Sequence, residues 1–330
     1  MLRRKAFFSN RAASSGRSVR ADLPHRGMLR LALLGIAFAG ACWQATPAIA
    51  AAPLAEGAIL IQADQLKAKL VEAKVRLVDV RATDEYQKAH LPGATGVDLA
   101  AWKTKALAKD GLHDVEFWSQ AVRSLGINAD STVVVYGGGI TDAARVWWLL
   151  KYVGVNQVLL LDGGLPAWTR AGFPLSAQKT EPAASTFTAK FQADRLAEMS
   201  DLLKARDSGD WQIMDARSPG EFTGAKLAGS RAGRMPGALH LEWSDLLAED
   251  GRFLDREALR LLLAEQGFQP DATIVTHCYS GGRASVNALA LELAGYPQVK
   301  NYYCGWSEYS AAPEAPVVTG DKEPVNKDRQ

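Results

Sequence analysis

Thr273-Ile274-Val275-Thr276-His277-Cys278-Tyr279-Ser280-Gly281-Gly282-Arg283-Ala284-Ser285 reads as a strand, a tight loop and the start of a helix. The β-branched run predicts the strand, the glycine pair predicts the loop, and apolar periodicity from about Ala284 to Leu293 predicts the helix. This unit sets a thiol at the carboxyl end of a strand, beside the backbone N–H groups of the following loop. Such a cradle stabilises an anion, here a thiolate, which is the nucleophilic form of cysteine. Cys278 is therefore the candidate catalytic nucleophile. Tyr279, Ser280, Gly281, Gly282 and Arg283 are the candidate anion-binding groups around it.

Working outward, the same grammar occurs twice. Val75 to Arg81 is an apolar strand ending in an Asp-x-Arg corner, followed by Glu85-Tyr86 and then His90-Leu91-Pro92-Gly93-Ala94. Thr83 is the expected cap of the short helix between them. Trp211 to Arg217 ends in a second Asp-x-Arg, followed by Glu221-Phe222 and Met235-Pro236-Gly237-Ala238. Asp79 and Asp215 lie 136 positions apart, Pro92 and Pro236 lie 144 apart, and Gly137 and Cys278 lie 141 apart. A near-constant offset is the mark of an internal duplication. The second copy carries eight extra residues, Thr223-Gly224-Ala225-Lys226-Leu227-Ala228-Gly229-Ser230. Strands alternating with helices (Thr132 to Tyr136, Ala143 to Tyr152, Val158 to Leu161) predict parallel β/α units with active groups at the carboxyl ends of strands. Cys278 occupies such an end, and its counterpart in the first copy is Gly137.

At 330 residues the chain is long enough for two domains with separate cores. Its formal charge of +2 is misleading, because residues 1–50 hold eight Lys/Arg and one acid, leaving −5 for the rest. No basic patch argues for nucleic acid. The basic region to Arg30, the apolar stretch Leu31 to Cys42 and the small-residue site Ala48-Ile49-Ala50 predict a signal peptide over residues 1–50. A start at Met28 would give that leader ordinary proportions. The apolar run is short for a spanning helix of about 20 residues. The expectation is cleavage, no stable membrane insertion afterwards, and a periplasmic or secreted protein. The mature chain then retains only Cys278 and Cys304, which is neither a disulfide framework nor a zinc-ligand pattern. The expected divisions are a first domain at 54–176, a linker at 177–195, a catalytic domain at 196–318 and a flexible polar tail at 319–330.

The order of these motifs resembles the tandem two-domain form of the rhodanese family of sulfurtransferases. The resemblance rests on Asp79-Val80-Arg81, Glu85-Tyr86, His90 to Ala94, Asp215 to Phe222, Pro236-Gly237-Ala238 and the Cys278–Arg283 loop. It implies an α/β fold of two rhodanese-like domains, each a parallel sheet flanked by helices. It also implies that Cys278 takes a sulfane sulfur from a donor such as thiosulfate, becomes a persulfide, and passes the sulfur to a thiophilic acceptor such as cyanide or a thiol. No cofactor or metal is expected beyond that covalent intermediate. Arg283 is expected to bind the departing sulfite. Asp215 and Arg217 are expected to form a structural corner, with an anion-binding role for Arg217 as the alternative, and Arg234, where the family often has histidine, is either surface charge or part of the oxyanion field. The first copy, with Gly137, is expected to be non-catalytic. Its Gly137-Gly138-Gly139 is not a dinucleotide loop, since Asp142 stands where the third glycine belongs.

The thiol admits three other readings. His277-Cys278 followed by an arginine is similar to tyrosine and dual-specificity phosphatases, but those place five residues between cysteine and arginine, and here four intervene. 3-Mercaptopyruvate is the alternative donor within the family, whose enzymes resemble a Cys-Gly-Ser-Gly-Val-Thr loop that this chain does not match. A persulfide carrier or redox sensor without turnover is the non-enzymatic alternative. His277 is expected to pack in its strand and Trp306 to pack or to wall the pocket. Cys304, directly after the strand Val299 to Tyr303, is either a small buried hydrophobe or a resolving thiol within reach of Cys278.

Overall fold

In a computed structural model, which describes residues 54–320 apart from 56 and 209, the two copies form two parallel sheets of matching order. The first contains β1 (Leu60–Ile61), β2 (Val75–Asp79), β3 (Ala94–Gly96), β4 (Thr132–Tyr136) and β5 (Gln157–Leu161), in the order β1-β5-β4-β2-β3. The second contains β6 (Trp211–Asp215), β7 (Leu239–His240), β8 (Thr273–His277) and β9 (Val299–Tyr302), in the order β7-β6-β8-β9. Leu196 pairs with Asn301 in a single parallel bridge, occupying the place beside β9 that β1 holds beside β5. Helices cover both faces of such sheets, so the central strands are continuous apolar runs with no polar side. Every residue of β4 is buried.

The register makes the duplication explicit. Asp79 pairs with Tyr136 and Asp215 with His277, so Gly137 and Cys278 leave corresponding strand ends. The last pair of β2 with β3 is Asp79 with Gly96, and that of β6 with β7 is Asp215 with His240. Helices Ile140–Tyr152 and Gly282–Ala294 follow the two strand ends and pack on each other. Both are apolar nearly all round, as helices buried between layers must be. Trp147, Trp148, Val286 and Leu289 accordingly belong to one core running through both copies. Trp148 stacks on Tyr303 at 5.3 Å, and Glu292 is shared by Lys151 at 3.0 Å and Arg195 at 2.8 Å.

Three local expectations change. Helix Thr83–Lys88 is capped at Ala82 without a side chain, whereas its counterpart Pro219–Thr223 has Ser218 and Glu221 in a capping box. Thr83 lies inside the first turn. The linker has no regular structure from 177 to 192, but it lies against the first copy: Arg123 Nε donates to the Phe187 carbonyl at 2.6 Å and Ala189 N to Ser119 Oγ at 2.9 Å. The start of the expected flexible tail is held, because Gly320 N donates to Thr223 O at 2.8 Å and Gly320 O accepts from Arg234 Nη1 at 2.6 Å. The expected signal peptide and residues 321–330 lie outside the described residues.

Candidate active site at the Cys278 loop

Cys278 leaves β8 almost wholly buried, with 2 % of its surface exposed. The carbonyls around it are turned outward and satisfied. Cys278 O accepts from Trp306 N at 2.7 Å, Tyr279 O from Ser307 N at 3.0 Å, Ser280 O from Arg145 Nη1 at 2.6 Å, and Gly281 O from Ser285 Oγ at 2.8 Å. Among the described residues, the N–H groups of Tyr279, Ser280 and Gly281 donate no hydrogen bond. They are free donors at the start of a 13-residue helix, the arrangement that favours an anion. Both loop glycines are required by close approach. A Cβ on Gly281, whose φ is +85°, would lie 2.6 Å from the Tyr303 ring, and one on Gly282 would lie 2.6 Å from Arg145 Nη2.

A cavity of about 470 Å³ opens over this loop. The second domain lines it with Cys278, Tyr279, Ser280, Gly282, Arg283 and Glu221, and with Ala228 and Gly229 from the eight-residue insertion. That insertion is clamped: Ala228 O accepts from Trp306 Nε1 at 2.7 Å, and Arg231 donates to the carbonyls of Tyr309, Ser310, Ala312 and Ala315. The first domain closes the other side with Lys103, Thr141, Asp142 and Arg145. Cationic (Lys103, Arg145, Arg283) and anionic (Asp142, Glu221) side chains thus line the same cavity as Cys278. Arg283 faces the cavity as expected, but its guanidinium is held in a two-pronged pair with Glu221 at 2.7 and 3.0 Å. Burial pushes the Glu221 carboxyl up, yet hydrogen bonds from Arg283 and Ser218 outweigh it and hold the group at about 2.

Arg217 and Arg234 do not line the cavity: Arg217 forms the expected corner with Asp215, and the candidate part of both arginines in the oxyanion field is corrected. Arg217 is fully buried, bonded to Asp215 at 2.6 to 3.1 Å and to Gly233 O at 2.8 Å, with its guanidinium 4.3 Å from the Trp306 ring. Arg234 is buried over the Phe222 ring at 4.6 Å and bonded to Gly320 O. Both have acceptors that hold the segment preceding β7, so their charges face inward. Trp306 packs under Arg217 and is not a cavity wall.

Cys304 follows β9 and lines a different cavity, of about 660 Å³, with His113, Glu198, Met199, Tyr302 and Glu308. Both cysteines are free thiols. The two loops meet through backbone bonds to the Cys278 and Tyr279 carbonyls, but the structure does not bring Cys304 into the Cys278 cavity. Burial, with the charges of Glu308 and Glu198, pushes the Cys304 thiol up to about 11. A thiol held protonated is a poor resolving group.

His277 packs as expected. It is fully buried, its Nε2 is 3.4 Å from Asp215 Oδ2, and burial outweighs that carboxylate to push it down to about 4. It is neutral at neutral pH, so Arg217 rather than His277 holds the Asp215 charge there. Between pH 4 and 6.5 the unfolded chain takes up a proton on His277 that the folded chain refuses. Stability from this group is complete above pH 6.5 and is lost as pH falls toward 4, by about 3 kcal/mol. Urea denaturation of the native protein and His277→Gln at pH 7.5 and pH 4.5 should show a larger acid loss in the native protein. Equal losses would show that His277 is not the titrating group.

The first copy reproduces the geometry without the chemistry. Leu165 N donates to Gly137 O at 3.0 Å as Trp306 N does to Cys278 O, and Gly164 stands in the place of Gly305. A Cβ on Gly137 would meet Val80 Cγ2 at 2.7 Å, so no nucleophile fits there as the loop stands. The sequence reading missed Arg145, Lys103 and the insertion as parts of the site. For Arg145 a signal existed: it is the one basic residue between Ile140 and Leu150, and it lies in the apolar part of the helix beyond Thr141 and Asp142.

The Rhodanese-like domain family profile matches this chain twice, over residues 62–171 and 198–312. The chain is 32% identical over 263 residues to the thiosulfate sulfurtransferase of Azotobacter vinelandii, covering 78% of this chain and 96% of that protein. It is 32% identical over 273 residues to the 3-mercaptopyruvate sulfurtransferase of Escherichia coli K12, with the same coverages. Among solved structures, the anaerobic ergothioneine biosynthesis enzyme of Chlorobium limicola, in complex with trimethyl histidine, matches with a TM-score of 0.71 at 25% identity. That match covers 80% of this chain and 71% of the other.

Proposed function

The chain belongs to the rhodanese family, and from that premise we propose that it is a thiosulfate sulfurtransferase working through a persulfide on Cys278. The observation that carries this reading is the buried thiol in a loop with three free N–H donors, under a cavity holding Lys103, Arg145 and Arg283. The Cys278 thiolate attacks the outer sulfur of thiosulfate, the S–S bond breaks, and sulfite leaves with the electron pair. Loop N–H groups and cationic side chains stabilise the anions on both sides of that step. A thiophilic acceptor then attacks the outer sulfur of the persulfide and Cys278 departs as thiolate; with cyanide the product is thiocyanate. These steps call for no cofactor besides the covalent persulfide. The signal peptide expected over residues 1–50 would place this activity in the periplasm or outside the cell.

The relative from Escherichia coli keeps 3-mercaptopyruvate as the second candidate donor. Intact mass after incubation with each donor separates the two. Thiosulfate should add one sulfur to the protein, located on Cys278, and mercaptopyruvate should load it far more slowly. Faster loading from mercaptopyruvate would reverse the donor assignment, and no loading from either would reject sulfur transfer. Thiocyanate formation over many turnovers distinguishes an enzyme from a carrier.

A further inference from the structure

Arg145 belongs to the copy that has no nucleophile, yet its guanidinium reaches the catalytic loop of the other copy. Nη1 donates to Ser280 O at 2.6 Å and to Tyr303 Oη at 2.7 Å. Nη2 occupies the space that any side chain on Gly282 would need, and the guanidinium carbon lies 5.5 Å from the centre of the Tyr303 ring. The side chain is 96 % buried, and its Nε has no hydrogen-bond partner; the nearest acid, Asp142 Oδ1, is 3.9 Å away. Arg145 also lines the cavity that holds Cys278.

Stability does not explain this arrangement. A buried cation with an unsatisfied nitrogen and a distant counter-ion is costly, and an apolar side chain of similar volume would commonly be neutral or stabilising in its place. What the guanidinium does is geometric. By drawing the Ser280 carbonyl outward it keeps the loop in the conformation that leaves the N–H groups of Tyr279, Ser280 and Gly281 free. By bonding Tyr303 it fixes the ring against which Gly281 turns. The rigid fork of an arginine can serve both acceptors and still present Nη2 to Gly282, which the single ammonium of a lysine cannot.

On the sulfur-transfer reading above, we propose that Arg145 is a positioning residue of the active site, through which the nucleophile-free domain sets the shape of the Cys278 loop. The duplication then has a chemical role, since the first domain completes a site it cannot itself operate.

The test uses the full chain and follows persulfide loading from thiosulfate by quenched-flow intact mass. Arg145→Met should lower the maximal loading rate by ~100-fold, the scale of a misplaced reacting group, and also raise the KM for thiosulfate. Arg145→Lys keeps the charge but not the fork, so it should recover the KM and leave most of the loss in rate. Gly282→Ala displaces the guanidinium without altering Arg145 and should reproduce the rate defect. A brace between domains with no part in the site would lower the Tm and leave the loading rate of the folded protein unchanged. If Arg145→Met does not fold, the lysine and alanine variants decide alone, and loading by both at the native rate would overturn the proposal. Failure of the native protein to load would instead reject the sulfur-transfer reading, so the two outcomes are distinct.

Discussion

Cys278→Ser is expected to abolish one-sulfur loading from thiosulfate and to lower thiocyanate formation by at least ~10³-fold, the scale on which removing a nucleophile acts. The loss is chemical, because a serine hydroxyl is a far weaker nucleophile toward divalent sulfur than a thiolate. His277, the adjacent imidazole, is fully buried and points toward Asp215 and not into the cavity. The fold should tolerate the change. Burying a hydroxyl is costly only when it lacks a partner, and the loop offers unengaged N–H donors at that point. Nor should the second thiol substitute, since Cys304 lines another cavity and burial pushes its thiol up to about 11. Cys304→Ser should therefore load at close to the native rate. A one-sulfur gain that persists in Cys278→Ser and disappears in Cys304→Ser would move the nucleophile to Cys304.

The architecture was legible in the sequence because its signals are local. A β-branched run such as Thr132 to Tyr136 is a strand buried on both faces wherever it occurs, and the two Asp-x-Arg corners fix matching strand ends 136 residues apart. The candidate nucleophile and its loop were legible for the same reason, since strand, cysteine and glycines are consecutive. The rest of the site was not. The partners of Arg145 lie 135 and 158 residues away, so nothing in its own helix shows which way the side chain reaches. Arg217 and Arg234 are the converse case. The Asp-x-Arg corner was legible because its partners are two residues apart, but the inward turn of Arg234 was not, because its acceptor Gly320 lies 86 residues away. The insertion was visible as a length difference, whereas its position over the sulfur depends on Arg231 finding four carbonyls at the far end of the domain.

The two Asp-x-Arg corners, alike in sequence, are expected to respond differently to loss of the acid. Asp215→Ala should cost about 3–5 kcal/mol, because it strands a charged guanidinium in the interior. Asp215 supplies both oxygens to Arg217 and also accepts from the Arg217 backbone N–H at 3.0 Å. Neither side chain of this pair is exposed, so water cannot replace what is lost. Arg217 would keep only the Gly233 carbonyl and the Trp306 ring. Against a total stability of roughly 5–15 kcal/mol, such a loss approaches unfolding. Asp79→Ala removes the same contacts from Arg81, which like Arg217 keeps one carbonyl, Ala89 O, but the Arg81 side chain is 11 % exposed. Its guanidinium can turn toward solvent, so the cost should be clearly smaller. Equilibrium urea unfolding of the two variants measures the difference directly. Equal losses would mean that burial of the arginine does not set the cost, and would remove the basis for treating Arg217 as an anchor that holds the catalytic domain and not as part of its site.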